Sequence, residues 1–160
     1  MLKLRGKVET KNICFDGHKL VHACISENIP YEQRHDFVLI VNEEEKFQDG
    51  FFAYLINSKL KKVNLNDLKN IFYINKDWDY IKDKDILRIE SNGDIASIYR
   101  FYSDHNTILL TERCNHYCLM CSQPPKKRDD SWLLSEAFEL IEIMPKSVKY
   151  LGFSGGEPTL

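Results

Sequence analysis

Short runs of Val, Ile, Phe and Tyr separated by polar stretches fill the first hundred residues. Leu2–Val8, Phe37–Val41, Phe51–Ile56 and Ile71–Ile74 each have the length and composition of a β-strand. The sharpest local signal is the pair Ile86–Glu90 and Ile95–Phe101 flanking Ser91-Asn92-Gly93-Asp94. Asn-Gly between two alternating apolar runs predicts a hairpin, because both turn residues must accept positive φ. Residues 64–70 predict a short helical turn. The sequence contains no internal repeat and no low-complexity segment.

The pattern changes near Tyr102–Asn106, a polar stretch that reads as a linker. Thr107–Thr111 is a short apolar strand. A cysteine-bearing loop follows at 112–130. A helix is predicted over Ser135–Met144, with Ser135 as N-cap, Leu134, Phe138 and Ile141 on one face, and Pro145 as the stop. Val148–Phe153 is a further apolar strand, running into Ser154-Gly155-Gly156-Glu157-Pro158. Strand, loop, helix and strand in that order predict parallel strands joined by a crossover. The domains expected are 1–101, rich in β-structure, and 107–160.

Composition narrows the function classes. Among 160 residues, 22 are basic and 24 acidic, for a net charge of −2. That balance argues against nucleic acid or an anionic membrane as the main partner. Residues 1–12 carry no apolar run of the kind an export signal needs, and no stretch approaches a membrane span, so a cytoplasmic location is expected. An odd cysteine count, five, in such a chain argues against a disulfide framework. Clustered thiols in a reducing compartment point instead to metal or redox chemistry.

Three of the five cysteines fall in Cys114-Asn115-His116-Tyr117-Cys118-Leu119-Met120-Cys121, spaced C-x3-C-x2-C. A segment this compact can wrap one small inorganic cluster, each thiolate meeting a different iron. Cubane clusters normally take four cysteines, so three would leave one iron open to an outside ligand. Zinc, with His116 or His105 as a fourth ligand, and inert thiols are the alternatives. Gly155-Gly156-Glu157-Pro158 closes the second strand. Paired glycines let a ligand approach the backbone, and Glu157 offers a carboxylate to an ammonium group. A plain turn is the simpler account of that tetrapeptide alone. Cys14, His18, His22 and Cys24 form a looser group that reads as strand ends and a turn rather than a metal site. Trp78 and Trp132 read as packing residues. Arg113 either tunes the electrostatics beside Cys114 or pairs with Glu112 or solvent.

C-x3-C-x2-C after one strand, with Gly-Gly-Glu-Pro after the next, resembles the radical S-adenosylmethionine (SAM) superfamily over residues 107–160. The resemblance implies that Cys114, Cys118 and Cys121 are metal ligands holding a [4Fe–4S] cluster. It also implies that SAM chelates the open iron, and that Gly155, Gly156, Glu157 and Pro158 contact the SAM methionyl group. Reductive cleavage of SAM would give a 5′-deoxyadenosyl radical, with the electron supplied by an external donor. The position before the third cysteine, aromatic in many members and near the adenine, is Met120 here, with Tyr117 before the second cysteine. The fold implied is α+β or α/β: a small β-rich N-terminal domain, then the first βαβ of a truncated partial TIM-type barrel. About one and a half of six βα units precede Leu160, so the chain is expected to be a fragment, poorly packed over 107–160. The resemblance leaves the catalytic acid or base unknown.

Leu110-Thr111-Glu112-Arg113-Cys114, Cys121-Ser122-Gln123-Pro124-Pro125-Lys126 and Asp129-Asp130-Ser131-Trp132 further resemble the HxsC family of His-Xaa-Ser system radical SAM maturases. That implies an enzyme modifying a peptide or small protein with His-Xaa-Ser repeats, alongside a paired radical SAM maturase. The N-terminal domain would bind the peptide or the partner, or serve as a structural lid. A radical SAM enzyme acting on a tRNA base or cofactor precursor, a zinc-stapled binding module, and a simple electron carrier are the rival classes.

Overall fold

The computed structural model describes residues 4–25, 28–43, 47–116, 118–121 and 124–157. The chain divides into two compact units, Met1–Tyr102 and Ser103–Leu160.

In the first unit, eight strands form one mixed sheet. They are β1 (Arg5–Lys7), β2 (Glu9–Lys11), β3 (His18–Cys24), β4 (Phe37–Val41), β5 (Ala53–Asn57), β6 (Ile71–Ile74), β7 (Ile86–Glu90) and β8 (Asp94–Tyr99), in the order β1-β8-β7-β3-β4-β5-β6-β2. Strands β3 to β6 run parallel, and the remaining pairings are antiparallel. The two edge strands, β1 and β2, are consecutive in the chain, with Val8 alone between them. The sheet therefore curls until its edges meet at one residue, giving a nearly closed, barrel-like wall. Closure removes the exposed edges that an open sheet would offer for mispairing. The Val8 amide donates to Gly93 O at 2.9 Å, which ties the junction to the β7–β8 hairpin. Gly93 has φ +94°, and a Cβ there would stand 2.6 Å from Val8 O. Among the turn residues Gly93 alone takes positive φ, so the hairpin follows a turn closed by one left-handed glycine rather than the expected Asn-Gly pair.

The period-2 alternation of the strands sorts side chains to the two faces of the wall. Val38 and Ile40 on β4, Leu55 on β5 and Phe72 on β6 pack in one core with Val21, Leu87 and Ile95. Their neighbours Leu39, Val41, Tyr54, Ile56 and Ile71 pack in a second core on the other face. Strands buried on both faces read as unbroken apolar runs, which is why β4 and β6 have the bounds expected from sequence. Residues 64–70 hold turns instead of the expected helical turn, and Asn70 is buried at φ +54°. Its side chain accepts from Cys14 N (2.7 Å) and donates to Phe52 O (2.7 Å).

The second unit holds β9 (Thr107–Thr111) and β10 (Gly152–Gly155), paired in parallel, with α1 (Ser131–Ile143) between them in the chain. The helix begins four residues before the predicted Ser135. Asp130 occupies the N-cap position, and Asp129 Oδ1 accepts from Ser131 N at 3.0 Å. The helix ends where Met144 turns extended ahead of Pro145 (ψ 146°). Leu133, Ala137 and Leu140 face inward with Glu136. The predicted apolar face, Leu134, Phe138 and Ile141, is exposed.

These elements correct the expected fold class. The chain is mostly β, with one α-helix among the described residues, and not an α+β or α/β chain leading into a partial TIM-type barrel. The eight-stranded wall is the dominant structure, and two strands with one helix make no barrel. The misreading has a physical source. Strands β2 and β3 are rich in Lys, Glu and His, so their sequences carry little of the apolar signature of a strand and neither was expected. No helix among the described residues is long and apolar enough to cross a membrane.

Candidate functional site

The second unit brings the two sequence motifs to one cavity. Strand β10 lies beside β9 in register from Gly152 opposite Thr107 to Ser154 opposite Leu109, then slips so that Gly155 faces Thr111. The slip carries the Gly-Gly-Glu turn past the end of β9 and onto the start of the cysteine loop. Gly156 N donates to Thr111 O (3.0 Å), and Glu157 N donates to Arg113 O (2.9 Å). Both glycines are required by this approach. A Cβ on Gly155 would lie 2.5 Å from Thr111 O, and one on Gly156 would fall on Arg113 O. The backbone thus accounts for the glycine pair by its own close packing, before any ligand is considered.

A cavity of about 600 Å3 opens between these segments, lined by Cys114, Cys118 and Cys121 on one side and Gly155, Gly156 and Glu157 on the other. Cys114 is half-buried, and Cys118 and Cys121 are exposed. The His116 amide donates to Cys114 Sγ (3.3 Å), and Cys121 N donates to Cys118 O (3.1 Å), turning the loop so that its thiols reach the same space. His116 Nε2 stands 3.9 Å from Glu157 Oε2 across the cavity. Among the described residues, no three His, Cys, Asp or Glu side chains are grouped to hold a single metal ion. Met120 is exposed and does not line the cavity. Pro158 and Tyr117 lie outside the described residues.

Side chains to which the sequence reading gave no role in holding the loop shape it, Glu112 having been offered only as a partner for Arg113. Asp130, 4% exposed, accepts from the Thr111 hydroxyl (2.9 Å) and from Glu112 N. Thr111 Oγ1 in turn accepts from Arg113 N (3.0 Å). The start of α1 is thereby fastened to the end of β9 where the loop departs. The Glu112 amide and the Thr111 hydroxyl hold the Asp130 carboxyl below its ordinary range. Glu112 bridges Lys126 and Arg128 with its carboxylate, and its carbonyl accepts from Lys126 N (3.0 Å). These contacts staple the two ends of the cysteine loop. The Lys126 ammonium, followed by Arg128, depresses the Glu112 carboxyl. The one clue in the sequence was an acidic residue at the loop's entry facing a basic run at its exit.

The Cys14, His18, His22, Cys24 group forms no such site. Cys24 is buried in β3, and burial pushes its thiol up to about 12. His22 packs on Phe37 with ring centroids 5.3 Å apart, and burial lowers its pKa. Cys14 is exposed, its Sγ donating to Asn12 O at 3.3 Å.

Comparison of the chain with protein families, with curated proteins and with solved structures gives no match.

Proposed function

We propose that the Ser103–Leu160 unit binds a [4Fe–4S] cluster and SAM, and that the chain serves radical modification of a peptide or small protein bearing His-Xaa-Ser repeats. The observation that carries this reading is the joint lining of one cavity by Cys114, Cys118 and Cys121 and by the Gly155-Gly156-Glu157 turn. The three thiols match a cluster with one open iron in donor type and number. When bound, such a cluster supplies the electron that splits SAM into methionine and a 5′-deoxyadenosyl radical.

The chain's own residues supply placement. Cys114, Cys118 and Cys121 provide three thiolates from one loop. Glu157 presents a carboxylate to the SAM ammonium, its backbone held in position by the hydrogen bond that Glu157 N donates to Arg113 O. Asp130 and Glu112 fix the ends of the loop that carries the thiols. An external electron donor and a paired maturase complete the proposed system.

Anaerobic reconstitution of the full chain with iron and sulfide tests the proposal. We expect visible cluster absorbance and a reduced-state EPR signal that shifts on adding SAM. Both should be lost in Cys114→Ala, Cys118→Ala and Cys121→Ala. Stoichiometric zinc uptake with no iron would overturn the reading in favour of a metal-stapled binding module. The substrate is tested by mass change of a His-Xaa-Ser repeat peptide in the presence of the partner maturase.

A further inference from the structure

The first unit holds a second cavity, of about 650 Å3, that the reading above does not use. Strands β3, β4, β5 and β6 run parallel, and each contributes a residue from its carboxyl end: Ile25, Asn42, Asn57 and Ile74. Open α/β sheets take ligands in the crevice outside the carboxyl ends of their parallel strands, and this cavity has the same placement on a mostly-β wall. Its volume falls in the range of small-ligand pockets, and its lining mixes Ile, Trp and Tyr side chains with two Asn, two Asp and one Lys. Ile40, Ile74, Trp78 and Ile81 make the floor, and all four are buried.

The rim decides the chemistry of the ligand. The lining carries two carboxylates, Asp79 and Asp83, and one ammonium, Lys82, so its formal charge is negative; Asp83 Oδ1 also accepts from Ile25 N at 3.3 Å. Lys82 Nζ lies 5.8 Å from the centre of the Tyr102 ring, another lining residue. A cation of the chain itself therefore already occupies the aromatic side of the cavity, at a distance where the ring face attracts positive charge. Asn42 and Asn57 add amide groups for orientation. An apolar floor, two carboxylates and an aromatic wall together select a cation carried on an apolar body.

We infer that this cavity binds an organic cation flanked by apolar groups: an ammonium, guanidinium or imidazolium, free or on a peptide side chain. Lys82 acts as an intramolecular occupant that such a ligand displaces.

The sequence contains two tryptophans, so Trp132→Phe in the full chain leaves Trp78 as a reporter on the cavity floor. The probes are the blocked dipeptides acetyl-Leu-Lys-amide, acetyl-Leu-Gln-amide and acetyl-Leu-Glu-amide, with pentylammonium chloride as the free amine. Saturable change in Trp78 emission is expected with the Lys peptide, at least ~10-fold tighter than with the Gln or Glu peptides, equivalent to about 1.4 kcal/mol. Asp79 is exposed, and Asp79→Asn should weaken the Lys peptide by ~10-fold with an unchanged circular dichroism spectrum. Lys82→Ala should act in the opposite direction and tighten it. Pentylammonium binding as well as the peptide assigns the ligand as a free amine, and weaker binding assigns a peptide side chain. Equal response to all three dipeptides, or weakening by Lys82→Ala, would overturn the inference.

Discussion

The two units use the same residue types in opposite ways. In the Met1–Tyr102 unit, Phe72 is fully buried and Cys24 is sealed inside a strand. In the Ser103–Leu160 unit, Phe138 is 61% exposed and Cys118 and Cys121 face solvent. One unit devotes its apolar side chains to two cores on a nearly closed wall. The other leaves its chemistry-bearing groups open on a loop held by a few polar contacts. Buried packing and exposed thiols are thus divided along the chain, the arrangement expected where loops are drawn from the less stable parts of a protein.

The sharpest test of this contrast is one substitution made in both places. Phe72→Ala should cost about 3–5 kcal/mol in urea unfolding, as expected for a large cavity in a packed core. Phe138→Ala should change stability by less than ~0.5 kcal/mol. Similar costs for the two would erase the distinction. A second, smaller effect separates two glycines. Gly156→Ala would force a methyl onto Arg113 O, and the Glu157 amide should lose its protection from hydrogen exchange. Gly17→Ala meets no atom within 4 Å and bears only the strain of φ +71°, about 1 kcal/mol. If the Glu157 amide exchanged unchanged in Gly156→Ala, the close approach of β10 to the cysteine loop would be wrong.

The smallest expected effect is a difference in sign with pH. Asp85 is buried, and burial raises its pKa despite amide bonds from Lys82 (2.9 Å) and Phe101 (2.8 Å). A raised carboxyl stabilises below its ordinary value, and that contribution is lost as pH rises through the folded value. Glu112, Asp129 and Asp130 are depressed instead, by the Lys126 ammonium, the Ser131 amide and the Glu112 amide respectively. Their contribution is present above the ordinary carboxylate range and lost as pH falls through the depressed values. Acidification from neutrality should therefore loosen β9 and the cysteine loop while the Asp85 contribution to the first unit grows. Amide exchange followed by NMR across that range checks both signs, and Asp85→Asn should flatten the first unit's response.

The sequence was most legible where one physical effect acted alone. Strands β4, β6 and β7 are apolar runs bounded by turn residues, and their bounds could be read directly. Strand β3 could not, because His18, Lys19 and His22 mask a segment whose Leu20, Val21, Ala23 and Cys24 are buried. It sits in mid-sheet between β7 and β4, so missing it conceals how the wall is joined. The helix misled differently. It carries two apolar stripes, Leu133-Ala137-Leu140 and Leu134-Phe138-Ile141, and periodicity cannot say which one is buried. The thiol spacing and the Gly-Gly-Glu turn were visible as motifs. The Asp130 and Glu112 contacts that hold them were not, since they join residues 14 to 19 positions apart through geometry no local pattern encodes.

The single-residue junction at Val8 has a consequence in time. Strand β1 pairs with β8, Arg5 opposite Ala96, and β2 pairs with β6, Lys11 opposite Ile71. During synthesis these first strands leave the ribosome before any partner exists, and β1 must wait until residue 99 has emerged. Closing the wall is thus a late event that depends on the β1–β8 pairing, the most sequence-distant in the unit and the kind of contact that slows folding. Until then both flanks of the nascent sheet stand open, and the charged residues of Arg5–Lys11 keep the waiting segment from joining a neighbouring chain.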